Sequence, residues 1–543
     1  MDNKTIKIYD CTLREGSQAP GISFSLLDKL KITRRIDEMG FAYTEGGWPG
    51  SNVKDLRYFE EIKKIRLHQI RVVAFGRTRN HDVRAERDQN LNALIKAGTD
   101  CGHILGKGWD FQVREVLNIS LDENLDLIYD SLIYLKKHLS EVSFGFEHFF
   151  DAYKNNREYS MKVLEAAVSA GADWIDLSDT NGGCFPHEVG KIVSGTTARF
   201  DIPFGVHCHD DSGCGVANTV AAVLNGVRIV EGTVNGYSER CGMADLCTVI
   251  PNLQLKLGYR CIPEENLKHL TRLSREIADI AQAEPLTRHP YVGSFAFTHK
   301  AGVHVNAFLK NSQTYQHIDP VLVGNRSDIA ISEVSGRCSM NLLLEKYGLL
   351  ACFSKKEITG LLRDVKQKEL EGYDFNIADA SLLLLILKHL KRVKSHIRIK
   401  DYAATFTGRS LKTGAGAMEI TADFLAPGKT LKNQKIAYKM GSGADFLSIL
   451  KKLLHECRCH CPELKCIDFT DYSIRVVNSS ETGMAQVRVV LRFLDGEGER
   501  QSMGLGGNFV TAMLEAFCEA IEYVLNREGI ISTTDGKLSI TRH

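Results

Sequence analysis

The stretch FGVHCHDDSGCGVANTVAAVLNGVRIVEGTV, Phe204–Val234, contains one complete structural unit. Phe204–His209 reads as a buried strand. A helical pattern follows through Val216, Val220, Val223 and Leu224 and stops at Gly226, and Arg228–Val234 reads as the next strand. Strand, helix and strand within about 30 residues make a βα unit. Upstream, candidate strands recur at Ile6–Cys11, Phe41–Glu45, Arg71–Phe75, Asp100–Leu105, Glu141–Glu147 and Trp174–Ser178. Ser25-Leu-Leu-Asp28 opens an intervening helix as a capping box and Gly40 stops it; Gly171 stops the helix that contains Met161, Leu164, Ala167 and Val168. Eight such units predict an α/β protein whose residues 1–265 form a (β/α)8 TIM barrel, with a doubly wound open sheet as the alternative.

In a barrel, chemistry collects at the C-terminal ends of the strands. The polar residues fall there: Arg14 and Glu15 after the first strand, Glu45 at the end of the second, Glu147 and His148 at the fifth, Asp179, Thr180 and Asn181 after the sixth, and Asn235, Glu239 and Arg240 after the eighth. His207 and His209 end the seventh strand two residues apart, so their imidazoles share a face. Such a pair suits a divalent metal; the alternative is two hydrogen-bonded structural histidines. With Glu15 they offer one hard and two borderline ligands, a set for Mg²⁺, Mn²⁺ or Zn²⁺ that leaves positions open for a substrate. An open cation can chelate an α-keto acid and polarise its carbonyl. Arg14 is placed to stabilise a developing oxyanion, Thr180 to bond the substrate carboxylate, and His304 or Glu147 to take a proton from a carbon beside a thioester. These parts suit carbon–carbon bond formation by an aldol or Claisen route, and synthase, lyase and aldolase all remain open at this point.

A length of 543 residues calls for two to four domains. With 68 Lys+Arg against 67 Asp+Glu, the net charge of +1 gives no sign of a nucleic-acid partner or an anionic membrane. No uncharged apolar run is long enough to span a bilayer, and MDNKTIKIYDCTLREG lacks the basic-then-apolar order of a signal peptide. The 15 cysteines form no disulfide framework, which suits a reducing cytoplasm.

Residues 266–395 read as helical linker subdomains, including the polar stretch Phe297–Pro320, expected to serve as a functional linker or lid. Residues 396–543 contain an internal repeat. Asp401-Tyr402 matches Asp471-Tyr472, Gly416–Ile420 matches Gly483–Val487, and Met440–Phe446 matches Met503–Phe509. Two βββα-like units are predicted, in a regulatory or dimerisation domain. Cys457, Cys459, Cys461 and Cys466, with His455 and His460, are expected in a loop between the repeats; their spacing is unlike a structural zinc site, so reduced thiols are expected. The Met-Gly turns lack the Lys-Ser/Thr of a phosphate loop and read as helix entries.

Six motifs carry a family likeness: YDCTLREGSQAPG (Tyr9–Gly21), EGGWPGSN (Glu45–Asn52), DTNGG (Asp179–Gly183), HCHDDSG (His207–Gly213), NGYSERCG (Asn235–Gly242) and THKAGVH (Thr298–His304). As a set they resemble the α-isopropylmalate, homocitrate and citramalate synthases. EGGWPGSN and SFGFEHFFDAY (Ser143–Tyr153) look most like the citramalate branch. The resemblance implies an acyltransferase that enolises acetyl-CoA, adds it to a small α-keto acid, and hydrolyses the thioester. It implies Glu15, His207 and His209 as metal ligands, Arg14 as the catalytic arginine, Glu147 and His304 as acid–base residues, and Tyr315 as a further catalytic residue matching a tyrosine of the homocitrate branch. It further implies a homodimer in which the His304–Tyr315 segment serves the partner subunit's barrel, and a C-terminal domain that responds to an effector such as isoleucine. Three residues depart from the citramalate pattern. Met243 stands where an asparagine ligand is usual, and a thioether is a poor ligand for a hard cation. Glu15 replaces the commoner Asp. His103 falls on the fourth strand, where that branch is usually apolar or hydroxylic; pointing inward, it could pair with a second acidic group on a larger acceptor, as could Arg77, the alternatives being a His103 that faces the helix layer or makes a core hydrogen bond and an Arg77 solvated in its loop. The readings left standing are pyruvate as the acceptor, an acidic keto acid such as 2-oxoglutarate or a phosphonate analogue, and, from a different class, a non-catalytic effector-binding homologue.

Overall fold

The computed structural model describes residues 4–284, 286–330, 336–391, 393–410, 413–426, 429–440, 446–478, 486–527, 531–532 and 538–539. Of the expected repeat matches, residues 441–445 and 483–485 lie outside the described residues. Eight parallel strands close into a barrel: β1 (Lys7–Asp10), β2 (Tyr43–Gly47), β3 (Arg71–Arg77), β4 (Cys101–Lys107), β5 (Glu141–Glu147), β6 (Trp174–Asp179), β7 (Phe204–Cys208) and β8 (Ile229–Gly232). They run round the barrel in chain order, and β8 pairs back onto β1 with Tyr9 opposite Glu231. Each expected strand is present, and the open-sheet alternative is excluded by the closure.

The strand period of two divides the apolar residues between two cores. Outward positions such as Ile8, Ile104, Phe144, Ile175 and Val206 pack under the helices. Inward positions, among them Tyr9, Tyr43, Val73, Cys101, Trp174 and Ile229, fill the barrel itself. Helix ends follow the sequence signals. Ser25 and Asp28 form a reciprocal capping box at Leu26–Met39, which ends at Gly40 in the left-handed region (φ 85°).

The EGGWPGSN motif is the loop after β2, and a buried ion pair shapes it. Lys29 is 1% exposed; its Nζ donates to the Gly46 carbonyl (3.1 Å) and pairs with Asp55. Asp55 also accepts from the Trp48 amide and the Asn52 side chain, each at 2.9 Å, while Asn52 caps the helix Val53–Ile62. A Cβ at Gly46 would run into the Tyr58 ring, so the backbone approach itself needs glycine.

The chain divides into two compact units. One comprises Met1–Phe297 and Ile318–Ser327, the other Thr298–His317 and Asp328–His543. The second contains the helices Arg337–Lys346, Lys355–Glu371 and Asp379–His389 and two antiparallel three-stranded sheets. The strands Ile397–Ser410, Thr413–Ala426 and Lys429–Met440 precede the helix Phe446–His460; Asp468–Asn478, Gln486–Leu494 and Glu499–Gly506 precede Phe509–Asn526. The repeat extends to a defect in the ladder: the register slips just before Asp401 in one sheet and just before Asp471 in the other. The cysteine segment differs from the loop expected for it. His455–Cys459 lie on the helix, Cys457 and Cys461 face the core, and Cys459 and Cys466 are exposed. Burial pushes the Cys457 thiol well up, which keeps it protonated.

Lys29→Met should leave the Asp55 carboxylate buried without its cation and cost about 3–5 kcal/mol. The measurement is the midpoint of chemical denaturation read from barrel tryptophan fluorescence; an unchanged midpoint would show that the pair does not hold the loop.

Candidate active site

The seventh strand delivers His207 and His209 to the C-terminal mouth of the barrel on one face, with their Nε2 atoms 3.3 Å apart. Glu15, in the turn after β1, joins them: its Oε1 lies 3.9 Å from His209 Nε2. One ligand atom from each of the three lies within 4.8 Å of the others, and all three residues are buried. Burial raises the Glu15 carboxyl, but the charges of Arg14, His207 and His209 outweigh it and hold it at about 2. Burial, then His207, pulls His209 down to about 4. An ionised carboxylate and bare imidazole nitrogens are what a divalent cation requires, so the donor set fits one. The three side chains are themselves placed by neighbours. Ser238 Oγ donates to Glu15 Oε1 at 2.9 Å, and His207 Nδ1 lies 2.9 Å from Glu231 Oε2, whereas His209 Nδ1 is buried without a partner among the described residues.

Arg14 bridges the site to its neighbours. Its guanidinium pairs with Glu15, donates to Glu45 Oε2 (2.5 Å), and lies 3.9 Å from the centre of the Phe75 ring. A cavity of about 230 Å³ opens beside it, lined by Glu15, His207, His209, Phe75, His103, Leu105, Glu147 and Thr180, among others. Phe75 and Leu105 supply its apolar lining, Asp176, Ser178 and Glu231 also border it, and so does the ring of His103. That ring lies inside the barrel, not in the helix layer: it stacks on Phe75 (centroids 5.8 Å apart, 19° between planes), and Nδ1 is hydrogen-bonded to Ser143 Oγ at 2.8 Å. Burial, and then the charge of Arg14, pushes His103 down to about 3, so the imidazole is neutral.

Glu147 reaches the cavity from the end of β5, paired at 2.5 Å with Lys107 of β4. Thr180 Oγ1 accepts from the His148 amide (2.8 Å). Arg77 is not among the cavity residues; it donates to the Thr78 carbonyl and to Asn80 Oδ1 in its own loop. Met243 is buried at 2% exposure among the inner apolar residues, joined to His209 by a backbone bridge. His304 and Tyr315 belong to the second unit, where their rings stack with centroids 4.3 Å apart.

Glu231 and Ser238 were not picked out from the sequence. An acid inside the apolar strand IVEG was the available signal, but only strand register gives it meaning: Gly205 pairs with Ile229 and Val206 with Val230, which sets His207 level with Glu231.

The neutral His103 makes a pH prediction. A histidine whose folded value lies below its ordinary 6.5 contributes fully to stability above pH 6.5, and that contribution is lost as pH falls toward 3. Between pH 7 and pH 5 the parent should lose roughly 2 kcal/mol more than a His103→Leu variant. Parallel urea-denaturation curves across that range would contradict this.

Residues 5–277 match the HMGL-like family, and residues 291–371 match the homocitrate synthase post-HMGL domain-like family. The chain is 42% identical over 536 residues to an (R)-citramalate synthase of Aquifex aeolicus, covering 97% of this chain and 99% of that one. It is 40% identical to those of Sulfolobus acidocaldarius (98% and 99% covered) and Geobacter sulfurreducens (96% and 98%). With the closed barrel and the motif residues gathered at its mouth, matches of this length leave one placement: the chain belongs to the (R)-citramalate synthase family of acyltransferases.

Proposed function

We propose that this protein condenses acetyl-CoA with pyruvate to give citramalate, using a divalent cation held by Glu15, His207 and His209. The observation that carries the reading is the convergence of these three buried ligands beside Arg14, in a chain 42% identical to an (R)-citramalate synthase over nearly its whole length. Bound there, Mg²⁺, Mn²⁺ or Zn²⁺ would polarise the keto carbonyl as a Lewis acid. The chain's own groups do the rest. Thr180 orients the acceptor carboxylate. Arg14, fixed by Glu45, presents its guanidinium to the oxyanion that develops when the new bond forms. Glu147, with His304 and Tyr315, moves protons: one leaves the acetyl methyl carbon so that it can attack, and one returns to the oxyanion. Hydrolysis of the thioester then frees CoA.

Pyruvate is favoured over an acidic acceptor by the inner wall. A second carboxylate or a phosphonate would meet Phe75 and Leu105, the acids Asp176 and Glu231 and a neutral His103, with Arg240 paired to Asp211 and Arg77 committed to its own loop. The volume of about 230 Å³ is below the roughly 300–1,000 Å³ of pockets for drug-sized ligands and suits a three-carbon acid. Met243 leaves the cation with three protein ligands and more open positions. We assign the βββα repeats to effector binding and dimerisation, with an isoleucine-like effector. In that homodimer the His304–Tyr315 segment of one copy serves the other copy's barrel, as the family likeness implies. No helix among the described residues is long and apolar enough to cross a membrane, and we place the enzyme in the cytoplasm.

The test is thiol release from acetyl-CoA with a panel of keto acids, with and without a chelator. Release with pyruvate that the chelator abolishes is expected. Release only with 2-oxoglutarate, oxaloacetate or a phosphonate analogue would overturn the choice of acceptor, and chelator-insensitive release would overturn the metal. His209→Ala should lose metal and turnover together, whereas His304→Ala should keep its metal and turn over about 10²–10⁴-fold more slowly. Saturating isoleucine should depress the rate; unchanged activity would remove the effector assignment.

A further inference from the structure

One buried acid of the barrel has no part in the chemistry just described. Glu231, on β8, is 2% exposed, and its Oε2 sits 2.9 Å from Nδ1 of His207, on the side of the ring away from His209 and Glu15. Cys11 Sγ lies 3.8 Å from the same oxygen and donates to it, while Oε1 has no partner among the described residues. Strand register produces the pairing. Glu231 stands opposite Tyr9 on one side, and the β7–β8 ladder brings His207 level with it on the other. The contact therefore involves two fully packed strands, not mobile loops.

An imidazole binds a cation through a bare nitrogen. For His207 Nε2 to be bare, the ring hydrogen must sit on Nδ1, and it needs an acceptor there. Glu231 is that acceptor. Among the described residues His209 has no equivalent, since its Nδ1 is buried and unpartnered there, so the two histidines are not interchangeable. From this geometry we infer that Glu231 is a positioning residue of the metal site, holding His207 in the Nδ1–H tautomer and in the orientation that exposes Nε2. A carboxylate behind a ligating histidine raises the basicity of the bound nitrogen and fixes its angle, and its loss typically lowers metal affinity 10–100-fold. The inference rests on the proposed metal site and deepens it.

Glu231→Gln preserves shape but replaces the carboxyl group behind Nδ1 with an amide. The direct readout is Mn²⁺ titration of the purified full-length protein, followed by electron paramagnetic resonance of free Mn²⁺, with His207→Ala as the control. The dissociation constant of Glu231→Gln should rise 10–100-fold with the melting temperature of the barrel retained. Its turnover in the acetyl-CoA assay should recover toward the parent value at saturating Mn²⁺, a rescue that a merely structural residue would not show. An Mn²⁺ affinity within threefold of the parent would overturn the role of Glu231. If the parent itself binds no Mn²⁺, or His207→Ala binds as tightly as the parent, the metal site fails and this inference with it. Should Glu231→Gln not fold, Glu231→Asp, which keeps the carboxyl group but withdraws it from Nδ1, gives the same decision.

Discussion

The pairing of β8 with β1 is the constraint on which this molecule depends. Until the ladder from Lys7–Ile229 to Asp10–Gly232 closes, Arg14 and Glu15 are separated from His207 and His209 by most of the barrel's chain. Closure makes all eight strand ends neighbours round one mouth. It also sets the levels inside the barrel: Tyr9 beside Glu231, Phe75 beside His103, and His103 beside Ser143. The hydrogen bond from His103 to Ser143 and the contact between His207 and Glu231 are consequences of strand register.

That closure buries charge at a cost the barrel must offset. Glu15, Glu45 and Glu231 are all 4% exposed or less, and Asp10 and Asp176 lie below them at 1% or less. Burial pushes Asp10 up to about 7 and both Asp176 and Glu231 well up, so much of this acidity is carried as neutral carboxyls. Arg14 pairs directly with Glu15 and Glu45. Carboxyls gathered around one guanidinium and two imidazoles are groups that a further positive charge would help to ionise, which agrees with the donor set at the mouth.

The interior of the cavity follows a different logic. A histidine pointing into it invites the expectation of an anionic group there. Here desolvation removes the charge that such recognition would use, and Ser143 occupies Nδ1. His103 therefore behaves as a flat, neutral filler stacked on Phe75.

The sequence by itself determined the local elements and the catalytic side of the fold. Periodicity, capping residues and stop glycines located the strands and helices because those signals are set by neighbours a few residues away. The pair His207 and His209 was legible for the same reason, and so was the βββα repeat. What only the tertiary structure decided were contacts between elements distant in the chain: Glu231 behind His207, Ser238 on Glu15, His103 against Ser143, and Arg77 turned into its own loop. None of these has a spacing rule, because each depends on which residue of one strand stands level with which residue of the next. The cysteine segment shows the same limit in reverse: its polar, irregular look suggested a loop, yet a helix that buries Cys457 and Cys461 against the sheets overrode that local character.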